Sequence, residues 1–243
     1  MYSWNTIRSV AGLLLLIPLV HLAFLMSRDT LATLDSAPTA WEKEVQAYET
    51  ADLDTSLPPE PLVVVGGQWV TKWRGLEDFL APLPVLKRGL GRATIDDVTF
   101  YYSRLIGHYG PSGVVILPDL SEFHLRDNKS PQELTDAIRH LAELNLEHDV
   151  TQFIYVFTPL NTPRYPGDSR RIAETTTLLR HWSDQDKGVQ LLDANPLLAS
   201  TTGEPEPYYF HSDGTSLNDY GYLRLSMILK EALVADYSSH YSR

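Results

Sequence analysis

Short apolar runs alternate with amphipathic stretches over most of the chain. The apolar runs are rich in β-branched residues and predict five strands, Leu62–Gly66, Leu83–Leu86, Gly113–Leu117, Phe153–Thr158 and Val189–Leu192. Stretches with apolar residues three or four positions apart predict four helices, Thr94–His108, Pro131–Asn145, Ser169–Trp182 and Asn218–Ala235. Because the predicted strands are apolar on both faces, the alternation indicates a parallel sheet covered by helices on each side.

A further helix precedes the first predicted strand. Trp41, Val45 and Tyr48 recur at helical spacing and predict a lead-in helix over Trp41–Ala51. Among the later helices, one has a well-marked start. Ser130–Glu133 combines a capping serine, a proline at the first helical position and a glutamate that reaches back to the cap.

The first thirty residues carry a long apolar stretch, Val10–Met26, without Asp, Glu, Lys or Arg. Its length is that at which a helix begins to span a bilayer. It is longer than the apolar core of a signal peptide, and no small-x-small cleavage site follows it. The stretch therefore predicts an uncleaved transmembrane anchor, with a cleaved signal peptide as the alternative.

The charges flanking this stretch favour one orientation. Arg8 precedes it, and acidic residues dominate the segment beyond Arg28, so the positive-inside rule places the bulk of the chain in the periplasm or outside the cell. The predicted organisation has a short cytoplasmic N-terminus, an anchor, a tether with the lead-in helix, and one domain, over residues 1–8, 9–27, 28–57 and 58–243.

Composition excludes several classes of protein. A net charge of −11 and the lack of a Lys/Arg-rich stretch argue against a nucleic-acid partner. The absence of cysteine excludes disulfides, thiol catalysis and thiolate metal sites. We expect no metal, since no H-E-x-x-H or comparable ligand spacing occurs around His108, His124, His140, His148 or His181. We expect no cofactor either, because the glycines at 89 and 91 lack the rest of a dinucleotide fingerprint.

Three segments together carry a specific pattern. They are Trp41–Asp52, with its W-E-K-E start, Gly66–Trp73, and Asp213–Asn218, which reads D-G-T-S-L-N. In this order and spacing the chain resembles the SGNH (GDSL-type) hydrolases, in particular a bacterial branch whose first block reads G-S-S-S-I-R-x-W and whose last reads D-G-x-H-L-N. The resemblance runs from about Trp41 to Ala235. It implies an α/β three-layer sandwich with a five-stranded parallel sheet in flavodoxin-like order, behind the predicted transmembrane helix.

The same resemblance assigns the family's functional positions. The nucleophile falls on Gln68, or on Trp69 if the register is one residue out, and neither side chain can attack a carbonyl. Arg92 stands where an oxyanion glycine is expected, and Ser121 stands where an asparagine donor is expected. The orienting aspartate is present as Asp213, but Ser216 replaces the histidine base. The resemblance therefore implies a hydrolase scaffold without catalytic residues.

Some residues near these positions offer substitute chemistry. His211 precedes Asp213 by two residues and would share its side in an extended segment, so it is a candidate displaced base. Thr71 and Ser121 supply hydroxyls, although Thr71 is also explained as a turn residue. Two interpretations remain open for each of three more residues. Trp69 and Trp73 either form an aromatic wall for a ligand or pack in the core. Arg92 either binds an anion or forms an ion pair with Asp96.

Three functions remain in competition. The first is a membrane-anchored, catalytically inactive protein of the bacterial envelope that binds a carbohydrate, a small anionic ligand or a protein partner through the former active-site pocket. The second is an O-acyl esterase of altered mechanism acting on cell-surface carbohydrate. The third is a structural component of an envelope assembly.

Overall fold

The protein is described by a computed structural model that covers residues 37–124, 127–148, 150–151, 153–186 and 188–241. Its centre is a sheet of five parallel strands in the order β2-β1-β3-β4-β5. The strands are β1 Leu62–Gly66, β2 Val85–Gly89, β3 Gly113–Leu117, β4 Ile154–Phe157 and β5 Val189–Leu192. The predicted five-stranded α/β sandwich and its flavodoxin-like strand order are confirmed.

Helices cover both faces of this sheet. They are α1 Glu42–Leu53, α2 Gln68–Thr71, α3 Leu76–Leu80, α4 Ile95–Phe100, α5 Tyr102–Leu105, α6 Pro131–Glu147, α7 Ser169–Ser183 and α8 Asp219–Tyr241. Alternate residues of β1 enter different cores: Val63 and Val65 pack with α1, α4, α6 and α7, whereas Leu62 and Val64 pack with α2, α3 and α8. Two apolar faces explain why this strand has no polar position.

The structure corrects two predicted elements. Strand β2 starts at Val85 instead of Leu83, because Pro84 has no N–H for the ladder and only its carbonyl accepts a bond, from Leu62 (2.8 Å). The predicted helix Thr94–His108 is broken into α4, α5 and a short 3₁₀ turn. The break at Tyr101 lies in a run of β-branched and aromatic residues, which are weak helix formers.

The lead-in helix α1 is packed as part of the core, although the sequence pattern placed the start of the domain at residue 58. Trp41 and Val45 are buried in the same cluster as Val63 and Val65 of the central strand. The predicted anchor over residues 9–27 lies outside the described residues. Within the described part of the chain, no helix combines the length and apolarity needed to cross a bilayer.

Candidate functional site

A cavity of about 160 Å³ opens at the carboxyl edge of the sheet. Loops that follow β1, β2, β3 and β4 supply its walls together with one residue of the segment before α8. The lining residues are Gln68, Trp69, Arg92, Asp119, Leu120, Ser121, Tyr165 and Thr215. Three positions assigned from the resemblance, Gln68, Arg92 and Ser121, therefore converge. The cavity is smaller than the roughly 300–1,000 Å³ of drug-sized ligand sites, so it has room for one small group.

Gln68 begins α2 directly after two glycines that permit a tight approach. A Cβ atom on Gly67 would lie 2.6 Å from the Cβ of Asp119 and 2.9 Å from the carbonyl oxygen of Ala93. Only glycine therefore lets the Asp119 side chain lie against this turn. The Gln68 side chain is half-buried in the cavity wall, where its amide can exchange hydrogen bonds but cannot act as a nucleophile.

Asp119 is the main feature that sequence reasoning missed. Its carboxylate accepts hydrogen bonds from the backbone N–H of Trp69 (3.2 Å), the backbone N–H of Ser121 (3.1 Å) and the Ser121 hydroxyl (3.0 Å). Burial raises the pKa of Asp119, while these bonds and the charge of Arg92 oppose the rise. The donor predicted at Ser121 is thus directed at an internal carboxylate. An acidic residue two positions after a wholly apolar strand was the available signal.

Arg92 also lines the cavity. The predicted ion pair with Asp96 is wrong, because Asp96 pairs with Lys129 at 2.9 Å. Arg92 has no ion pair within 4 Å in the part of the chain that the structure describes. Its side chain is exposed, so it can meet an anionic or hydrogen-bond-accepting group that enters the cavity.

The Asp213 end of the site keeps a hydrogen-bonded turn. Asp213 Oδ1 accepts the backbone N–H groups of Thr215 and Ser216, both at 2.8 Å. Burial alone would raise the pKa of Asp213, but the bonds from Ser216 and Thr215 together lower it to about 2. Ser216 does not line the cavity: it is buried, and its hydroxyl accepts a bond from Lys72 Nζ (3.3 Å). Thr215 lines the cavity in its place.

His211 does not take the geometry expected of a displaced base. Residues 211–214 form a turn in which the Gly214 N–H donates to the His211 carbonyl (2.9 Å), so the segment is not extended. The His211 backbone N–H pairs with the Ser216 carbonyl at 2.8 Å. Among the described residues its exposed imidazole has no hydrogen bond to Asp213 or to a hydroxyl.

A different imidazole lies beside the cavity. His124 Nε2 is hydrogen-bonded to Asp168 Oδ2, and the His124 ring stacks on Tyr165 at 4.2 Å between ring centres. Tyr165 in turn lines the cavity. No hydroxyl of the described chain is hydrogen-bonded to His124, so this pair has a carboxylate partner but no nucleophile. Both residues follow strands of the sheet, β3 and β4, and that placement was the signal for the pair.

The remaining candidates have structural roles. Trp73 is completely buried, stacks on Tyr222 and donates from Nε1 to the Ser226 hydroxyl (3.0 Å), whereas Trp69 does reach the cavity. The Thr71 hydroxyl donates to the Gly67 carbonyl (3.4 Å) within its own helix turn. Within the described residues, no group of three or more His, Asp or Glu side chains is arranged to hold a metal ion.

Comparison with known proteins shows which solved structures share this architecture. No family model matches the sequence, and no curated protein matches it. Several solved structures do match the fold of this chain. A Bacteroides fragilis protein assigned as an acylhydrolase is 18% identical with a TM-score of 0.68, over 79% of this chain and 96% of its own. A GDSL-like lipase from Bacteroides thetaiotaomicron is 14% identical with a TM-score of 0.65, over 79% and 98%. The lipase/acylhydrolase from Enterococcus faecalis is 15% identical with a TM-score of 0.60, over 71% and 95%. The chain therefore has the fold of SGNH/GDSL hydrolases, as the resemblance implied.

Proposed function

We propose that this protein uses an SGNH hydrolase fold to bind a small polar ligand without hydrolysing it. The observation that carries the proposal is the position of Asp119. Three donors beside the cavity, the backbone N–H groups of Trp69 and Ser121 and the Ser121 hydroxyl, bond to its carboxylate. Ester hydrolysis develops negative charge on the carbonyl oxygen, and a buried carboxylate at this place opposes that charge.

The replaced side chains support the same proposal. Loss of a triad nucleophile costs on the order of 10⁶ in turnover, and loss of one oxyanion donor costs about 10²–10³. Gln68 and Ser216 stand where the resemblance places the nucleophile and the base, and neither group can do that chemistry. Either replacement alone is sufficient to abolish efficient turnover.

The cavity walls favour one unit of a carbohydrate as the ligand. Asp119 offers acceptor atoms, Arg92 offers donors, and the Gln68 amide offers both. The half-buried Tyr165 adds aromatic surface on which the apolar face of a sugar ring can pack. A small anionic ligand would use Arg92 but would be repelled by Asp119. We further propose that residues 9–27 hold the protein in the envelope membrane, with the cavity on the outer side.

The absence of catalysis is tested by esterase assays on the full chain in detergent. We expect no hydrolysis of p-nitrophenyl acetate above the background rate and no labelling by a fluorophosphonate. Turnover that disappears in Asp213→Asn would overturn the proposal. Binding is tested by measuring the thermal unfolding temperature with a panel of monosaccharides. The measurement is made on the unchanged chain, on Arg92→Ala, and on Arg74→Ala, which replaces another exposed arginine and serves as the control. A binding sugar should stabilise Arg74→Ala and the unchanged chain, but not Arg92→Ala.

The His124–Asp168 pair favours a second candidate, an esterase of altered mechanism. A general base must be oriented by a third group, and Asp168 does this for His124. The missing component is a hydroxyl nucleophile in reach of the imidazole. This candidate requires esterase turnover that falls at least a hundredfold in His124→Ala and survives in His211→Ala. Equal activity in the two variants would exclude it.

A further inference from the structure

Helix α1 makes a series of contacts with the chain segment that carries Arg92. The Tyr48 hydroxyl donates to the carbonyl of Gly89 (2.6 Å), and the Gly91 N–H donates to Glu44 Oε2 (2.8 Å). These two bonds lie one turn apart on α1 and two residues apart on the segment. They fasten the last residue of β2 and the loop immediately before Arg92.

Trp41 adds a steric contact at the same place. A Cβ atom on Gly91 would lie 2.4 Å from the Trp41 ring atom Cζ3 and 2.9 Å from Cη2, so the indole rests directly on the backbone of the loop. The Trp41 side chain is itself buried, with 6% of its surface exposed. Indole packing and the two hydrogen bonds therefore act on one three-residue segment.

A buried ion pair holds the other end of the helix. Asp52 pairs with Arg88 of β2 at 2.6 Å and accepts a hydrogen bond from the Tyr109 hydroxyl, also at 2.6 Å. The Arg88 guanidinium lies over the Tyr48 ring, 4.9 Å from its centre. Helix α1 is thus attached to β2 and its following loop along its whole length.

From these contacts we infer that α1, together with Trp41 at its N-terminal end, is a positioning element of the cavity: Trp41, Glu44 and Tyr48 hold Arg92 in the cavity wall. Arg92 lines the cavity but has no ion pair of its own in the described structure, so its place depends on the backbone that carries it. The predicted effect of α1 on ligand binding rests on the proposed function, whereas its predicted effect on the loop does not. Under the proposed membrane anchoring, the tether would lead directly into the element that fixes this wall.

Hydrogen exchange on the full chain in detergent tests the inference without a ligand. In Glu44→Ala/Tyr48→Phe the amides of residues 90–92 should exchange about tenfold faster, because two hydrogen bonds that hold this loop are lost. Lys43→Ala/Thr50→Ala changes exposed positions of the same helix and should leave these amides unchanged. Amides of β1 and β3 should exchange as in the unaltered protein in both variants, which shows that the fold is intact.

A second variant approaches the contact from the loop. Gly91→Ala should displace Trp41 and produce the same faster exchange, whereas Gly167→Ala, with no atom within 4 Å of its added Cβ, should not. Exchange at residues 90–92 that matches the controls in both tests would overturn the inference. If a sugar is found that stabilises the protein, Glu44→Ala/Tyr48→Phe should weaken its binding about tenfold. If no sugar binds, the proposed function fails, and the exchange result still decides the role of α1.

Discussion

The Asp213 and Asp119 ends of the candidate site differ in which groups hold their carboxylates. At the Asp213 end, the carboxylate still accepts two backbone N–H groups at 2.8 Å, and its pKa is lowered to about 2. At the Asp119 end, the donors of Trp69 and Ser121 are bonded to a side chain of the protein itself. Among the described residues, no imidazole is hydrogen-bonded to Asp213, and the donors of Trp69 and Ser121 bond to the Asp119 carboxylate.

The difference shows that one carboxylate is held by local bonds alone, whereas the other is also held by a distant segment. The Asp213 turn is stabilised by bonds between residues at most three apart, so the turn does not need the imidazole to hold its form. At the other end the Ser121 N–H and hydroxyl are also only two residues from Asp119, but the Trp69 N–H comes from a segment 50 residues away. Gly67 admits Asp119 to that place, which makes this end dependent on long-range packing.

The largest effect on stability is expected at Glu122, three residues after Asp119. Glu122 is completely buried, accepts the Ile95 N–H (2.6 Å) and pairs with Lys129 (2.8 Å). Glu122→Ala should lower the free energy of unfolding by about 3 kcal/mol, because a buried N–H and a largely buried ammonium lose a partner. Urea denaturation measures this. The control is Glu143→Ala, an exposed residue paired with Arg139 at 3.5 Å, for which we expect a change below about 0.5 kcal/mol.

Gly67→Ala should have the next largest effect, since it forces Asp119 out of its place. The overpacked Cβ should cost about 2 kcal/mol of unfolding free energy. In an Asp119→Gly background the same change should cost less, because the nearest clashing atoms are gone. Equal costs in the two backgrounds would mean that the Asp119 end does not depend on this contact. Gly167→Ala serves as the control for replacing an uncrowded glycine.

The pH dependence of stability should also report on the Asp119 loop. Burial raises the pKa of Glu122 from 4.5 to about 7, against the opposing effect of Lys129. A carboxyl whose pKa is raised on folding stabilises the protein below its unfolded pKa, and that contribution is lost as pH rises through about 7. Unfolding free energies at pH 5 and pH 8 should therefore differ between the unaltered chain and Glu122→Gln by on the order of 1 kcal/mol, with the unaltered chain losing more at pH 8. A difference of the opposite sign would contradict the raised pKa of Glu122.

The smallest effect is expected at the exposed Asp213 turn. Asp213→Asn weakens two bonds to backbone N–H groups and should cost at most about 1 kcal/mol at neutral pH, since solvent screens this carboxylate. Because folding lowers the pKa of Asp213, its contribution is present above 3.8 and is lost as pH falls through about 2. Thermal unfolding at pH 6 and at pH 2 should show the two chains converging at the lower pH. A constant difference would indicate a role other than that of an ionised acceptor.

The sequence by itself determined the sheet and the edge of the sheet at which three of the candidate residues lie. Strands β1 and β3 have the predicted bounds, because a strand in the middle of a parallel sheet leaves an uninterrupted apolar run. The edge strand β5 has the predicted bounds as well, although its run contains the polar Gln190. The capping box at Ser130 and Glu133 forms as predicted, since it depends on residues three apart. Gln68, Arg92 and Ser121 meet because the carboxyl ends of parallel strands share one edge.

Only the tertiary structure decided what this edge contains. The partners that fill it are distant in sequence: Trp69 and Asp119 are 50 residues apart, His124 and Asp168 are 44 apart, and Lys72 and Ser216 are 144 apart. Local patterns fix which backbone segments are strands and helices, but they do not fix which way a polar side chain turns. That choice follows from the requirement that each buried donor and acceptor find a partner, and the partners exist only once the loops are packed together.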